Sequence, residues 1–138
     1  MPDRAAAPRD IVLIDDKSYG IQQVRDAIPP ARRAAYQVVH FSTFEAYEAY
    51  EAAIDGRAHV VLIDYFLDLD LCYGSEIVHR IDAEIIVGFS SSLAGSQAIV
   101  EAAREHGTWA SPPQLFAIRK LKDREPNAAL AKLFRQIL

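Results

Sequence analysis

Short apolar runs rich in Ile, Val and Leu alternate along the chain with longer segments of mixed polarity. Five of these runs predict β-strands, at residues 11–14, 36–41, 60–63, 85–89 and 115–118. Most are apolar throughout rather than alternating with polar residues, which is typical of strands buried on both faces of a parallel sheet. The pattern therefore predicts a buried central sheet.

The segments between these runs predict helices, because several carry residues that begin or end helices. Ser42 and Glu45 match a capping box that opens the second helix, and Gly107 follows the fourth. Pro29 ends the first predicted helix, and Pro126 begins the last. Strands that alternate with helices indicate an α/β domain, in which helices cover both faces of a doubly wound, five-stranded parallel sheet.

The length and composition fit one globular domain. The chain has 138 residues, of which 51% are hydrophobic and 25% are charged. A domain of this size needs neither a disulfide nor a structural metal for its stability. Residues 1–8 predict a flexible tail and residues 9–138 predict the domain, and we expect no attached output domain.

Charge, cysteine content and hydropathy limit the class of partner. The formal net charge of -4 disfavours a general nucleic-acid binder, and no apolar run is long enough to cross a membrane. The single cysteine, Cys72, has no second cysteine for an internal disulfide, which fits a reducing compartment. We therefore expect a cytoplasmic protein without a nucleic-acid or membrane partner.

Polar side chains stand where four of the predicted strands end. Asp15 and Asp16 follow the first strand, Asp64 follows the third, and Ser90 and Lys120 stand at the ends of the fourth and fifth. The carboxyl ends of parallel strands share one edge of the sheet, so these side chains are expected to lie together. Carboxylates a few ångströms apart repel by about 4 kcal/mol per pair at an effective dielectric near 20, so the cluster requires positive charge.

This set of residues suits phosphoryl transfer. A hard cation such as Mg²⁺, together with one lysine, supplies the positive charge that the carboxylates require. A carboxylate such as Asp64 can then attack phosphorus and form an acyl phosphate, while the metal and the ammonium group neutralise the phosphoryl oxygens. The residues therefore indicate an aspartyl phosphate on Asp64.

Four motifs at strand ends resemble those of the receiver domain of two-component response regulators, and the resemblance covers residues 10–138. The motifs are residues 11–16 (IVLIDD), 61–64 (VLID), 87–91 (VGFSS) and 117–120 (AIRK). The resemblance implies a flavodoxin-like sheet with strand order 2-1-3-4-5 and a chemotaxis-type, stand-alone receiver in a phosphorelay. It also implies that the protein is not an enzyme beyond self-catalysed phosphoryl transfer and slow autodephosphorylation.

The resemblance further implies a Mg²⁺ site beside the phosphoacceptor. Asp16 and Asp64 would contact the ion directly, and Asp15 would act largely through water. The backbone carbonyl of Phe66 would be a further ligand. A histidine kinase or a phosphotransfer protein would supply the phosphoryl group to Asp64.

On the other side of the phosphoryl group, the resemblance implies three contacts and one signalling surface. The Ser90 hydroxyl and the Ser91 backbone amide would contact the phosphoryl group, and Lys120 would pair with its oxygens. The signal would then pass through the face formed by the fourth helix, the fifth strand and the last helix. The partner that binds this face would be a downstream protein or a second copy of the chain in a homodimer.

The chain departs from the family pattern at four places. Leu121 follows Lys120 where the family usually has proline, often after a cis peptide bond, and Ala117 stands at the aromatic switch position. The loop of residues 65–73 is longer than usual. Phe66 stands where the family often has a small or polar residue, and we hypothesise that its side chain slows loss of the phosphoryl group.

Two other functions stay open. A receiver-like binding module that needs no phosphorylation would account for Leu121, Phe66 and Ala117. A Mg²⁺-dependent phosphohydrolase of the haloacid dehalogenase type also forms an aspartyl phosphate. That family has Asp-x-Asp after its first strand, which residues 15–17 do not match.

Two further groups of residues have ordinary interpretations. Asp68 and Asp70 lack the glycine and the glutamate of an EF-hand, so they indicate solvated loop carboxylates rather than a calcium site. Trp109 and residues 112–113 form either a surface for a partner or a loop anchored to its own domain.

Overall fold

The computed structural model describes residues 7–67, 70–122 and 125–138, so residues 1–6 of the predicted tail lie outside the described part. Within these ranges, twelve helices and strands follow in chain order: β1 (Arg9–Ile14), α1 (Gly20–Ala27), β2 (Tyr36–Phe41), α2 (Phe44–Ala53), β3 (Ala58–Ile63), β4 (Phe66–Leu67), β5 (Cys72–Tyr73), α3 (Gly74–Ile77), β6 (Ala83–Ser90), α4 (Leu93–His106), β7 (Gln114–Arg119) and α5 (Ala128–Ile137). Short 3-10 turns follow α1 and α3, at Pro30–Ala35 and Val78–Arg80.

Five strands form one parallel sheet in the order β2-β1-β3-β6-β7. When β4 and β5 are left out of the numbering, this is the predicted order 2-1-3-4-5. In the central strands, residues 11–14 pair with residues 60–63, and all eight are fully buried. The doubly wound, flavodoxin-like fold is therefore confirmed.

Helices cover both faces of the sheet and form a hydrophobic core on each. On one face, Val24 of α1 and Phe134 of α5 belong to the same buried cluster as Leu13. On the other face, Tyr47 of α2 and Ile99 of α4 belong to a second cluster. Each large apolar side chain buried in this way contributes roughly 1.5–3 kcal/mol. Of the helices that the structure describes, none has the length and apolar character needed to cross a lipid bilayer.

Two helix starts differ from the sequence prediction. Thr43, and not Ser42, caps α2, since its hydroxyl accepts a hydrogen bond at 3.2 Å from the backbone N–H three residues later. α5 begins at Ala128 rather than near Pro126, since the Asn127 side chain accepts the corresponding bond at 3.1 Å. In both helices the start is set by the side-chain oxygen that reaches a free N–H group of the first turn.

A short hairpin occupies the loop after β3, which the sequence pattern predicted as irregular. Phe66 of β4 pairs with Tyr73 of β5 in an antiparallel arrangement. Asp70, between these strands, accepts a hydrogen bond at 2.8 Å from the backbone N–H of Phe44 at the start of α2. Asp70 is thus a half-buried loop carboxylate that also binds a free N–H group in the first turn of α2, a contact that the sequence did not indicate; Asp68 lies outside the described residues.

The loop between α4 and β7 is anchored to its own domain. The Trp109 indole N–H donates a hydrogen bond at 2.7 Å to the backbone carbonyl of Ile81, which lies just before β6. Pro113 is buried in the same loop. Of the two interpretations of Trp109, the structure favours the anchored loop.

Candidate functional site

Three aspartates meet at the carboxyl ends of the neighbouring strands β1 and β3. Asp15, Asp16 and Asp64 each offer a carboxylate oxygen, and these oxygens lie within 4.8 Å of one another. Asp15 is fully buried and Asp64 is 7% exposed, whereas Asp16 is half-buried. Negative charges this close and this buried repel one another, so the cluster requires positive charge.

The register of the sheet places two of these aspartates side by side. Ile14 pairs with Ile63 at the ends of β1 and β3, so the next residue of each strand reaches the same edge. The Asp64 N–H donates to the Ile14 carbonyl at 3.0 Å, and the Asp15 N–H donates to the Phe41 carbonyl at 3.0 Å. The hydrogen bonds of the sheet thus continue one residue beyond the apolar runs and hold both aspartates in place.

Backbone N–H groups also hold the carboxylates themselves. Asp15 Oδ1 accepts a hydrogen bond at 2.9 Å from the N–H of Lys17, and Asp64 Oδ1 accepts one at 2.8 Å from the N–H of Tyr65. Each buried carboxylate therefore uses one oxygen for a neighbouring N–H group. The other oxygen, Oδ2 in both cases, is directed to a lysine.

Lys120 places an ammonium group inside the cluster. Its Nζ lies 2.5 Å from Asp15 Oδ2 and 3.1 Å from Asp64 Oδ2, and its side chain is 1% exposed. The ring of Tyr19 lies 4.8 Å from Nζ, a distance at which a cation and an aromatic face attract. The Lys120 backbone N–H donates to the Ser90 carbonyl at 2.7 Å, so the lysine continues β7 beside β6.

Burial and charge act in opposite directions on the protonation of this cluster. Burial raises the pKa of Asp15 to about 6, although the nearby Lys120 ammonium lowers it. Burial alone would lower the pKa of Lys120, but the carboxylates of Asp15 and Asp64 outweigh it and raise that pKa above its ordinary value. Lys120 is therefore a cation at neutral pH, whereas Asp15 takes up a proton in mild acid.

Two predicted serines lie at the end of β6, and a third serine supports them. Ser90 is 6% exposed, its Oγ accepts a hydrogen bond at 3.4 Å from the Ser92 N–H, and the half-buried Ser91 follows it. The Ser90 N–H donates to the Ser96 hydroxyl at 2.8 Å, which in turn donates to the Ile118 carbonyl at 2.8 Å. The sequence analysis did not predict this supporting role of Ser96. Its position in the first turn of α4, soon after the end of β6, was the signal that could have indicated it.

The first turn of α4 approaches the site closely because Gly95 has no side chain. A Cβ atom at Gly95 would lie 3.0 Å from Ser90 Oγ and 3.0 Å from the Cβ of Tyr65. Contacts this short force the neighbouring side chain to shift. Gly95 therefore lets α4 pack directly against the residue that follows Asp64 and against the hydroxyl of Ser90.

Aromatic rings line the hairpin that follows Asp64. Tyr65 stacks on Tyr73 with ring centroids 4.9 Å apart, and the Phe66 ring lies 5.5 Å from the same tyrosine. Phe66 is 49% exposed. The hairpin thus places an exposed apolar ring two residues beyond Asp64, while the role of the Phe66 carbonyl as a metal ligand stays a prediction.

Two departures from the family pattern lie on or directly after β7, at Ala117 and Leu121. The Lys120–Leu121 peptide bond is trans, unlike the cis bond that often precedes the family's proline. Ala117 is half-buried on β7, and the neighbouring Phe116 packs against the core formed with α1 and α5. No aromatic ring is therefore available at position 117 itself.

The structure brings together the residues on which the prediction of a site depended. Four of them lie in the oxygen cluster or in ion pairs with it: Asp15, Asp16, Asp64 and Lys120. The remaining three adjoin these four along the chain or the sheet edge: Phe66, Ser90 and Ser91. Their roles toward a phosphoryl group and an ion stay predictions.

The donor set fits a hard divalent cation. Carboxylate oxygens within 4.8 Å of one another are the ligands that Mg²⁺ prefers, and that ion binds through one or two carboxylates while it keeps several waters. Asp15, Asp16 and Asp64 are the residues that would hold it.

Comparisons with known proteins support the fold. No protein-family model matches the sequence, and no curated protein matches it. Among solved structures, the chain is similar to the phosphorylated cyanobacterial phytochrome response regulator RcpA, with a TM-score of 0.55 and 19% sequence identity over 95% of this chain and 89% of that chain. At this identity the likeness shows a shared fold.

Proposed function

We propose that the protein is a response regulator receiver that accepts a phosphoryl group on Asp64. The observation that carries the proposal is the Lys120 ammonium, which lies buried between the carboxylates of Asp15 and Asp64. Taking such charges out of water lowers stability, and costly arrangements of this kind persist where activity depends on them. A module that only binds a partner has no need of this cluster.

Asp64 acts as the nucleophile in this proposal. One of its carboxylate oxygens attacks the phosphorus of a phosphohistidine on a histidine kinase or phosphotransfer protein. The new O–P bond forms as the P–N bond breaks, and the imidazole leaves. Lys120 pairs with the phosphoryl oxygens, and the Ser90 hydroxyl and Ser91 amide donate hydrogen bonds to them. Later attack of water on phosphorus restores the carboxylate.

A magnesium ion completes the charge balance of the proposed site. Asp15, Asp16 and Asp64, with the Phe66 carbonyl, would hold the ion, and its charge would neutralise part of the negative charge on the phosphoryl group. Lys120, whose ammonium lies between the carboxylates of Asp15 and Asp64, supplies the remainder. Both positive charges are required because the incoming group adds negative charge to an edge that already has three carboxylates.

The proposal extends to the partners and setting of the protein. The similar solved structure is that of a phosphorylated response regulator, which supports a phosphoryl-accepting role. We propose that residues 9–138 form a cytoplasmic signalling domain whose own chemistry is limited to self-catalysed phosphoryl transfer and slow dephosphorylation. The signal leaves through the face formed by α4, β7 and α5, either to a downstream protein or to a second copy of the chain.

Incubation with acetyl phosphate and Mg²⁺, followed by intact mass measurement, tests the proposal. The wild-type protein should gain one phosphoryl group, and Asp64→Asn should gain none. Asp55→Asn is a matched control, since Asp55 is exposed in the turn after α2, and it should behave like the wild type. No gain by the wild type would favour the phosphorylation-independent binding module, and repeated turnover of the donor would favour a phosphohydrolase.

A further inference from the structure

Two buried side-chain amides, on α1 and at the start of α5, contact each other. Gln23 of α1 is 6% exposed, and Asn127, the cap of α5, is 4% exposed. Asn127 Nδ2 donates a hydrogen bond at 3.1 Å to Gln23 Oε1. A buried amide pair of this kind persists only where its remaining polar atoms are also satisfied.

The remaining atoms of this amide pair bind the backbone on both sides of Lys120. Gln23 Oε1 accepts a hydrogen bond at 3.0 Å from the Leu121 N–H, and Gln23 Nε2 donates to the Leu121 carbonyl. Asn127 Nδ2 also donates at 2.9 Å to the carbonyl of Arg119. The residues before and after Lys120 are thus both held by the Gln23–Asn127 pair.

We propose that the Gln23–Asn127 pair positions the ammonium of Lys120 toward Asp15 and Asp64. The lysine side chain must reach Asp15 Oδ2 at 2.5 Å and Asp64 Oδ2 at 3.1 Å, so its backbone has little freedom. Its own N–H binds the Ser90 carbonyl at 2.7 Å, which holds the strand side. The amide pair holds the backbone at Arg119, the last residue of β7, and at Leu121, which follows Lys120. The effect on phosphorylation rests on the proposed function, but the positioning itself does not.

This contact explains why Leu121 suits this chain. Proline at position 121 would have no N–H group for Gln23 Oε1, so the bond at 3.0 Å would be lost. The contact made by the amide pair therefore depends on a residue with an N–H group at position 121. It connects α1 and α5 to the charge at the sheet edge.

A double-mutant cycle on stability tests the positioning without metal or phosphate. The cycle combines Gln23→Met with Lys120→Met, and urea unfolding is measured for each single variant and for the pair. If Gln23 acts through Lys120, the loss in the double variant should be clearly smaller than the sum of the two single losses. Additive losses would overturn the proposal, since they would mean that Gln23 supports the fold independently of the lysine.

Two further variants separate positioning from general stability. Asn127→Asp keeps the oxygen that caps α5 but loses both Nδ2 donors, so it removes the pair and retains the cap. Val24→Ala, beside Gln23 on α1, shortens a fully buried side chain and leaves the pair intact. Amide hydrogen exchange at Leu121 should accelerate in Gln23→Met and in Asn127→Asp but not selectively in Val24→Ala.

Phosphorylation by acetyl phosphate gives a second readout. Gln23→Met and Asn127→Asp should react roughly tenfold more slowly than the wild type, less than the ~100-fold that complete loss of one charge-stabilising donor costs. Val24→Ala should stay within about twofold, because it contacts no reacting group. Equal rates in all four proteins would overturn the positioning role. If the wild type itself takes up no phosphoryl group, the proposed function fails, and the stability cycle alone decides the inference.

Discussion

Replacement of Lys120 by methionine is the most informative perturbation of the site. Methionine fills much of the space of the lysine stem but removes the ammonium from between Asp15 and Asp64. Two buried carboxylates are then left without a counter-charge. We expect the variant to fold in metal-free buffer and to lose stability there.

The burial of the three charges determines the size of this loss. Lys120 is 1% exposed, Asp15 is 0% exposed and Asp64 is 7% exposed, so solvent screens their interactions weakly. Removal of one member of such a buried ion pair costs about 3–5 kcal/mol. This is a large share of the roughly 5–15 kcal/mol by which domains are stable.

The loss of stability in Lys120→Met should become smaller in mild acid. The direction of this pH dependence follows from the pKa of Asp15. That pKa is raised from 3.8 to about 6 on folding, so between these values the folded protein binds more protons than the unfolded chain. The contribution of this group to stability therefore falls as pH rises through about 6, and it is regained as pH falls toward about 4. Without the ammonium the pKa of Asp15 rises further. The deficit of Lys120→Met at about pH 5 should be roughly half of the deficit at about pH 7.5.

Urea unfolding followed by Trp109 fluorescence measures this deficit. Trp109 is the one tryptophan in the sequence, and its hydrogen bond to the Ile81 carbonyl breaks on unfolding. Lys132→Met, the same substitution at an exposed position of α5, is the control and should change stability by less than about 0.5 kcal/mol. A loss of stability below about 1 kcal/mol, which is the value of an exposed ion pair, would refute the reasoning. A loss that is the same at both pH values would also refute it.

Two further substitutions test other parts of the site. Phe66→Asn should shorten the lifetime of the phosphorylated protein, because the exposed ring two residues beyond Asp64 limits the access of water; decay of the phosphorylated mass with time measures it, and an unchanged lifetime would remove this hypothesis. Gly88→Ala should destabilise the protein by about 1–3 kcal/mol, because its Cβ would overlap the Ser96 carbonyl where α4 packs on β6. Urea unfolding measures that change, and a loss within the error of the wild type would contradict the close packing.

The central strands and the charged site could be predicted because buried parallel strands leave a plain signal. Residues 11–14 and 60–63 are apolar throughout, as strands covered on both faces must be, and the structure buries all of them. Once these strands are placed, the next residue of each falls on one known edge of the sheet. Asp15, Asp64 and Lys120 were therefore predicted to lie together without coordinates.

Other features leave no local pattern and required the structure. The strands of the β4–β5 hairpin have two residues each, too few for a period to show. The bonds from Gln23 to Leu121 join residues 98 positions apart, and no spacing along the chain indicates them. Ser42 and Thr43 are adjacent hydroxyl residues, so only the observed hydrogen bond shows that Thr43 is the cap of α2.

Localisation of the phosphoryl group after reaction with acetyl phosphate tests the central claim most directly. Borohydride converts an aspartyl phosphate to homoserine, so peptide mass mapping of the reduced protein identifies the modified residue. We predict homoserine at position 64, dependent on Mg²⁺, and strongly reduced in Lys120→Met. Modification at any other residue, or a protein that stays unmodified under the same conditions, would contradict the account.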